Sequence, residues 1–428
     1  MFGRPTSRNT AQQTTSLPGL GDQPKLQHTS SLPTASNKKT DTTAQMATQC
    51  TSSPLFGLWK PQGHLKNLYY GAGCVEKHLL DVLPSPSSRV FILTGASIST
   101  KTPLIQRLEE LLGDAHAGTY AGIKQHGQED GVDEATQLVA QMDGVVDTIL
   151  SVGGGSPIDS AKTVCFRIHE QCGKYLIHIS IPTTLSVAEC TAGGGFTRRD
   201  GTKVGFMHPS MGVNTILYDA TFARFTPERL WLSTGMRAVD HAVETMYHPN
   251  ASEMPWKALA LWAVAGLAEG LPQAKLVHGS DDGNDVTTKL QLAAFATSGL
   301  RGSNFRGGMG LSHSLGHAIG SPYGIPHGET SCLTLAPVIR HKAQNSTADA
   351  EQIARLLPAM GGQRRCGSEV ADALEVAQRV EDLVVELGLA QPSLSSRGVG
   401  QDQAAVIARK VSGEDGKDSI LGLVEALF

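Results

Sequence analysis

The chain is poor in aromatic residues, 5% of 428 positions, and carries no strong charge surplus, with 36 Lys and Arg against 40 Asp and Glu. So even a balance leaves no electrostatic footprint for nucleic acid or an anionic membrane surface. Long apolar runs are missing too. The longest, Ala258–Ala268, stops after 11 residues at Glu269, well short of the ~20 that a bilayer-spanning helix needs. The seven cysteines (Cys50, Cys74, Cys165, Cys172, Cys190, Cys332 and Cys366) are scattered, odd in number and without a C-x-x-C pair. That pattern excludes a disulfide frame or zinc knuckle and points to a reducing, cytoplasmic setting. A final absence follows the first apolar strand, Arg89–Gly95. The chain continues Gly95-Ala96-Ser97, so the common G-x-G-x-x-G dinucleotide fingerprint is not there.

What is present describes a globular chain, 40% hydrophobic and 18% charged, of a length that suits two domains. Residues 1–53 are Ser, Thr, Gln, Asn and Pro without apolar periodicity and are expected to be a disordered tail. The tail is mildly basic but lacks the amphipathic Arg/Leu pattern of an organellar transit peptide, and Met46 offers an alternative start. Beyond it, strand patterns at Arg89–Gly95, Ala117–Ile123, Thr148–Val152, Tyr175–Ile181 and Thr215–Tyr218 alternate with helical ones at Pro103–Leu112 and Val132–Met142. Such alternation implies crossover units and a parallel sheet. After Glu228 the patterns are helical. Ser368 is placed to cap a helix whose stripe runs Val370, Ala373, Leu374, Ala377, Val380, Leu383, Val384 and Leu387, with Gly388 just past its end. An α/β domain over 54–226 and an all-α domain over 227–428 follow, with a ligand expected in the cleft between them.

Two stretches carry chemistry. Val152-Gly153-Gly154-Gly155-Ser156-Pro157-Ile158-Asp159-Ser160-Ala161-Lys162 leads from a strand into a helix. Glycines there let backbone approach a pyrophosphate, which the helix N-terminus favours. Ser156 reads as N-cap, Pro157 as N1 and Asp159 as N3 of a capping box. Thr183 and Thr184 follow the strand that ends at Pro182, on the carboxyl edge where such sheets bind ligands, and Lys203 is a candidate cation for the same cleft. The second stretch holds His313, His317 and His327. A helix over Leu311–Ile319 puts the first two on one face, and the Gly- and Pro-rich run after it returns His327 beside them. Three imidazoles suit a divalent metal, a proton relay or both.

In this order, Gly153–Ser156 with Asp159, Ala161 and Lys162, then Ile181-Pro182-Thr183-Thr184, then Gly235-Met236-Arg237-Ala238-Val239-Asp240-His241-Ala242-Val243-Glu244, then the histidine stretch, resemble the iron-containing (group III) alcohol dehydrogenases. The Ser186-Val187-Ala188-Glu189 segment after the threonines is similar to the maleylacetate reductase branch. The resemblance implies a dehydroquinate synthase-like fold, an NAD(P)-binding α/β domain, a helical metal-type domain and a homodimer. It implies cofactor contacts at Gly153, Gly154, Gly155, Ser156, Asp159, Thr183, Thr184 and Lys203. It assigns metal ligation to His241, His313 and His327, and places His317 by the nicotinamide.

Where metal-dependent relatives have a ligand Asp, this chain has Arg237. A guanidinium stays protonated and cannot ligate a metal. Two readings stand. In the first, a small carbonyl compound, of maleylacetate-like oxo-carboxylate type, is reduced by NADH or NADPH without metal, with Arg237, His317 and His241 catalytic. In the second, Arg237 pairs with Asp240 away from the cleft, and His241, His313 and His327 hold iron or zinc for an alcohol dehydrogenase. Arg306 is a further candidate for a substrate carboxylate, Lys124 for a 2′-phosphate, and Tyr247, His248 and Tyr323 for pocket lining. A lyase of the dehydroquinate synthase kind and a non-catalytic nucleotide-binding protein are the other classes compatible with these motifs.

Overall fold

Strands buried on both faces organise the first half of the molecule. A computed structural model describes residues 57–59 and 63–428, except 143, 209–210, 302–306 and 366; the expected tail, Met46 and Arg306 lie outside them. The strands are β1 (Gly57–Trp59), β2 (Asn67–Tyr70), β3 (Val90–Thr94), β4 (His116–Tyr120), β5 (Thr148–Gly153), β6 (Ile177–Pro182), β7 (Gly193–Thr197), β8 (Lys203–Met207) and β9 (Thr215–Tyr218). Seven form one sheet in the order β1-β2-β9-β6-β5-β3-β4, parallel except for β1, and β7 pairs with β8 in a separate antiparallel hairpin. Side chains alternate between two cores. Phe91, Leu93 and Ile149 meet Val132, Val139 and Val164 on one face, whereas Ile92, Leu150 and Val152 meet Leu104 and Leu108 on the other. Each such residue taken fully out of water contributes about 1.5–3 kcal/mol, which is why these strands stand out as continuous apolar runs.

Several boundaries differ from expectation. The second strand ends at Tyr120 rather than Ile123, because the chain turns back and the Tyr120 ring covers Gly122, where a Cβ would collide with the phenol. Tyr175 precedes β6 and stands 62% exposed, stacked on His169. The hairpin of β7 and β8 is not among the strands expected from the sequence. There a Cβ on Gly195 would collide with the Val204 carbonyl, so glycine is what lets the two strands close.

From Ala220 onward every described element is helical. The helix Glu228–Tyr247 lies at the centre, its Trp231, Leu232, Val239, Val243 and Met246 packed among Ala258–Val277, Asn284–Ser298 and His327–Asn345. The helix Glu369–Glu386 buries most of the expected stripe, but Val370 is exposed and the Ser368 side chain makes no capping bond. Its C-terminus follows the sequence: Gly388 is left-handed (φ 71°), and the Gly388 and Leu389 N–H groups donate to the Val385 and Val384 carbonyls. No described helix is long and apolar enough to cross a membrane.

Candidate active site

The carboxyl ends of β5 and β6 build one side of the site from backbone. Gly153 adopts φ 137°, Gly154 is extended, and the helix Gly155–Cys172 starts at once. This corrects the expected capping box. Gly154, not Ser156, occupies the N-cap, and no side chain caps the first turn. The Ser156 hydroxyl instead accepts from the His126 N–H at 3.0 Å, and Asp159 receives Lys162 at 3.3 Å. The reason is local: glycine tolerates the extended entry, so the helix begins two residues earlier than a Ser156 cap requires. Its first N–H groups are thereby left for a ligand. A Cβ on Gly154 would come within 3.0 Å of Thr184 Cγ2, and one on Gly155 within 3.4 Å of Ser186 Oγ. Thr184 Oγ1 and Ser186 Oγ lie 3.1 Å apart beside the loop. Bare backbone, an uncapped helix start and flanking hydroxyls fit a dinucleotide pyrophosphate.

Lys162 has a different task from an anion contact. Fully buried, its ammonium donates to the Ala188 and Gly193 carbonyls at 2.6 and 2.7 Å and to Thr191 Oγ1 at 3.0 Å. It thus ties the segment after Thr184 to the glycine-loop helix. That segment includes Val187 at φ 55°, a conformation a β-branched residue adopts only under constraint. Glu189, buried, accepts from the Tyr218 hydroxyl at 2.5 Å, and burial raises its pKa to about 7. Lys203 on β8 is exposed to water, yet the protein around it lowers its pKa, while Asp159 acts to raise it.

The histidine cluster is built from side chains. The histidine helix spans Leu311–Ile319 as expected, and His327 opens the next helix. His313, His317 and His327 each offer a ring nitrogen within 4.8 Å of the others'. The His241 ring lies 5.1 Å from that of His313, tilted by 35° to it. Arg237, 1% exposed, reaches into this cluster from the central helix. Its Nη2 donates to His313 Nε2 and His327 Nε2, both at 2.8 Å. Its Nη1 donates to Ser331 Oγ at 3.0 Å and Asp240 Oδ2 at 3.3 Å. The ion pair with Asp240 and a seat among the histidines therefore coexist rather than compete. Only the Nε–H has no partner.

Those bonds set protonation. A guanidinium only donates, so both accepting Nε2 atoms are bare and the ring protons sit on Nδ1. Burial first, then Arg237, holds His241, His313 and His327 well below the ordinary imidazole range. His317 is exposed, yet the protein around it and Lys203, Arg237 and Lys410 also lower its pKa. For a divalent metal this donor set does not fit. Two of the three gathered lone pairs already accept from Arg237, and a dication there would face a buried positive charge.

One carboxylate whose contacts the sequence reading missed adjoins the cluster. Glu244 accepts from the Ser312 and His313 N–H groups at 2.7 and 3.3 Å, capping the histidine helix from a distant element. Burial, and Asp240 beside it, raise its pKa to about 8. Gly310 makes room, since a Cβ there would collide with the Glu244 carboxylate. Nothing in the local sequence signals this contact, as its partners are 68 and 69 positions apart. Of the other candidates, the Tyr247 hydroxyl donates to Glu244, His248 Nε2 to the Gly308 carbonyl and Tyr323 to Gln403. Lys124 is exposed.

A parallel α/β sheet with a glycine-rich strand-to-helix turn, followed by a helical region with a histidine cluster, defines a class of oxidoreductase. Comparisons agree. The iron-containing alcohol dehydrogenase profile matches residues 66–220, and the profile for the C-terminal region of the Fe-containing alcohol dehydrogenase family matches 231–419. Dehydrogenase FUM7 of Gibberella moniliformis is 31% identical over 298 residues, 61% of this chain and 69% of that protein. Maleylacetate reductase 2 of Cupriavidus pinatubonensis is 30% identical over 292 residues, 68% and 75% of the two chains. The crystal structure of maleylacetate reductase from Rhizobium sp. shares the fold with a TM-score of 0.69 at 21% identity, covering 87% of this chain and 98% of that one. The chain belongs to the iron-containing alcohol dehydrogenase family, and it is an oxidoreductase.

Proposed function

We propose that the protein reduces a small oxo-carboxylate, or a related carbonyl compound, with NADH or NADPH and without a metal ion. The observation that carries this reading is the Arg237 guanidinium, 2.8 Å from both His313 Nε2 and His327 Nε2. A fixed cation thus stands where metal-dependent relatives would place theirs. The dinucleotide, when bound, supplies a hydride to the carbonyl carbon. Gly153, Gly154, Gly155, Ser156, Thr183 and Thr184 hold its phosphates and ribose at the sheet edge, with Asp159 and Lys203 at the rim. His317, an exposed neutral imidazole, donates a hydrogen bond from its ring N–H to the oxygen as charge develops there, and solvent water supplies the proton that completes the alcohol. Arg237 has four of its five N–H groups committed, so it serves as a buried positive charge under that oxygen more than as a hydrogen-bond partner. His241 packs behind His313 and steadies it. Relatives named for maleylacetate support a substrate that carries carboxylates, which Lys203 would attract.

A specific observation favours a second reading, because His313, His317 and His327 converge closely enough for a metal if the guanidinium is displaced. The set differs from the expected His241, His313 and His327. One assay series separates the two. Purified protein is tested with NADH and NADPH against maleylacetate, and in the reverse direction with 4-hydroxybutyrate and 1-propanol, before and after chelation. Turnover should survive chelation, and Arg237→Ala should lower kcat by about 100- to 1,000-fold, the usual cost of one preorganised electrostatic group. Activity that disappears on chelation and returns with iron or zinc sinks the metal-free reading, as does an unchanged kcat in Arg237→Ala.

A further inference from the structure

We infer that Asp240 is a positioning residue for the reaction, acting through Arg237. The inference rests on the reading of Arg237 above. Asp240 is fully buried, and its Oδ2 gathers three donors: Ser331 Oγ at 2.5 Å, Ser312 Oγ at 3.0 Å and Arg237 Nη1 at 3.3 Å. Each donor comes from a different element. Arg237 shares the central helix, Ser312 lies on the histidine helix between Leu311 and His313, and Ser331 lies one turn past His327. One oxygen therefore joins the cation to the two helices that carry His313, His317 and His327. Ser331 closes the connection, because its hydroxyl both accepts from Arg237 Nη1 and donates to Asp240 Oδ2.

Geometry and charge argue together. A guanidinium 1% exposed is costly to bury without a counter-charge. Asp240 is the carboxylate in hydrogen-bond contact with it, and its bond fixes Nη1. Since the guanidinium is planar, fixing Nη1 also fixes where Nη2 points, toward His313 and His327. Asp240 touches none of the reacting atoms in this arrangement. Its effect reaches them only by keeping Arg237 charged and aimed.

A double-mutant cycle on kcat tests this, using Asp240→Asn, Arg237→Ala and the combination, assayed with the substrate and dinucleotide turned over in the series above. Asn keeps the shape and an accepting oxygen but removes the charge. The expected result is a fall in kcat of about 30-fold for Asp240→Asn, dinucleotide KM within about 2-fold of the parent, and less than about 3-fold further loss when Arg237 is already Ala. Ser331→Ala, a milder change that removes the bridging hydroxyl, carries the same test if Asp240→Asn does not fold, with an expected loss of about 5-fold that also vanishes without Arg237. A folded Asp240→Asn with kcat near the parent value overturns the inference. An equal penalty in the presence and absence of Arg237 does so too, because a general structural role would give that result. Failure of the Arg237 reading is separately visible, as an Arg237→Ala enzyme with undiminished kcat.

Discussion

The glycine loop and the histidine cluster are made by opposite means. The glycine loop is a site of missing side chains: Gly153, Gly154 and Gly155 leave room, and the helix behind them leaves its first N–H groups uncapped. The histidine cluster is a site of crowded side chains, where one guanidinium engages two imidazoles, a serine and a carboxylate. The first offers backbone N–H groups with no cation of its own. The second already contains its cation. A substitution at position 237 alone would change what the cluster can hold, since Arg237 Nη2 occupies the lone pairs of His313 and His327.

The largest effect expected from breaking this contrast comes from Arg237→Asp. Removing the guanidinium frees the lone pairs of His313 and His327, and the new carboxylate lies one turn from His241. Zinc affinity by calorimetry should rise by about 1,000-fold or more over the parent, each added ligand being worth several kcal/mol; equal affinity in both proteins would show that Arg237 does not block the site.

Acid should act next most strongly, and on the crowded side. His241, His313 and His327 have folded pKa values below their unfolded value of about 6.5. The unfolded chain then binds more protons below pH 6.5, so the stability these groups contribute is fully present above that pH and is lost as pH falls. Each group that remains neutral costs about 1.4 kcal/mol per pH unit in that window. Glu244, raised to about 8, and Glu189, raised to about 7, work in the opposite sense, since their contributions are present below the unfolded value and lost as pH rises through the folded one. Asp159, Asp219 and Asp240 do the same. Among the described residues, however, the histidines held down, which include His126, His178, His248, His317 and His341, outnumber these carboxyls. Urea midpoints measured from pH 7 to pH 5 should therefore fall, and a flat profile would contradict the neutral, guanidinium-bonded imidazoles.

The smallest effect belongs to the glycine side. Gly154→Ala puts a methyl group 3.0 Å from Thr184 Cγ2, and dinucleotide KM should rise by about 10-fold with kcat little changed, the pattern of lost uniform binding. A kcat loss larger than the KM change would mean that the loop also aligns the reacting carbon.

Legibility in the sequence followed the range of the forces involved. Runs such as Phe91-Ile92-Leu93 and Ile149-Leu150 declare themselves because burial on both faces needs no knowledge of partners. The histidine helix was readable from spacing alone, and so was the adjacency of Arg237, Asp240 and His241 on one helix. Beyond one turn the signal faded. Whether Arg237 pairs with Asp240 or enters the cluster looked like a choice, because the sequence does not show that five donors can serve both. The hairpin of β7 and β8 was hidden by its glycines, and the Glu244 cap by the distance between its partners. Ser156 and Asp159 matched a capping pattern that the preceding glycines made unnecessary.

One consequence of the Arg237 arrangement concerns supply. A metal centre must be loaded after synthesis, is exposed to competition from other ions, and in the case of iron changes valence with its surroundings. The charge at the heart of this cluster is covalent to the backbone. It arrives with translation in a fixed one-to-one ratio, does not dissociate, and has no second oxidation state.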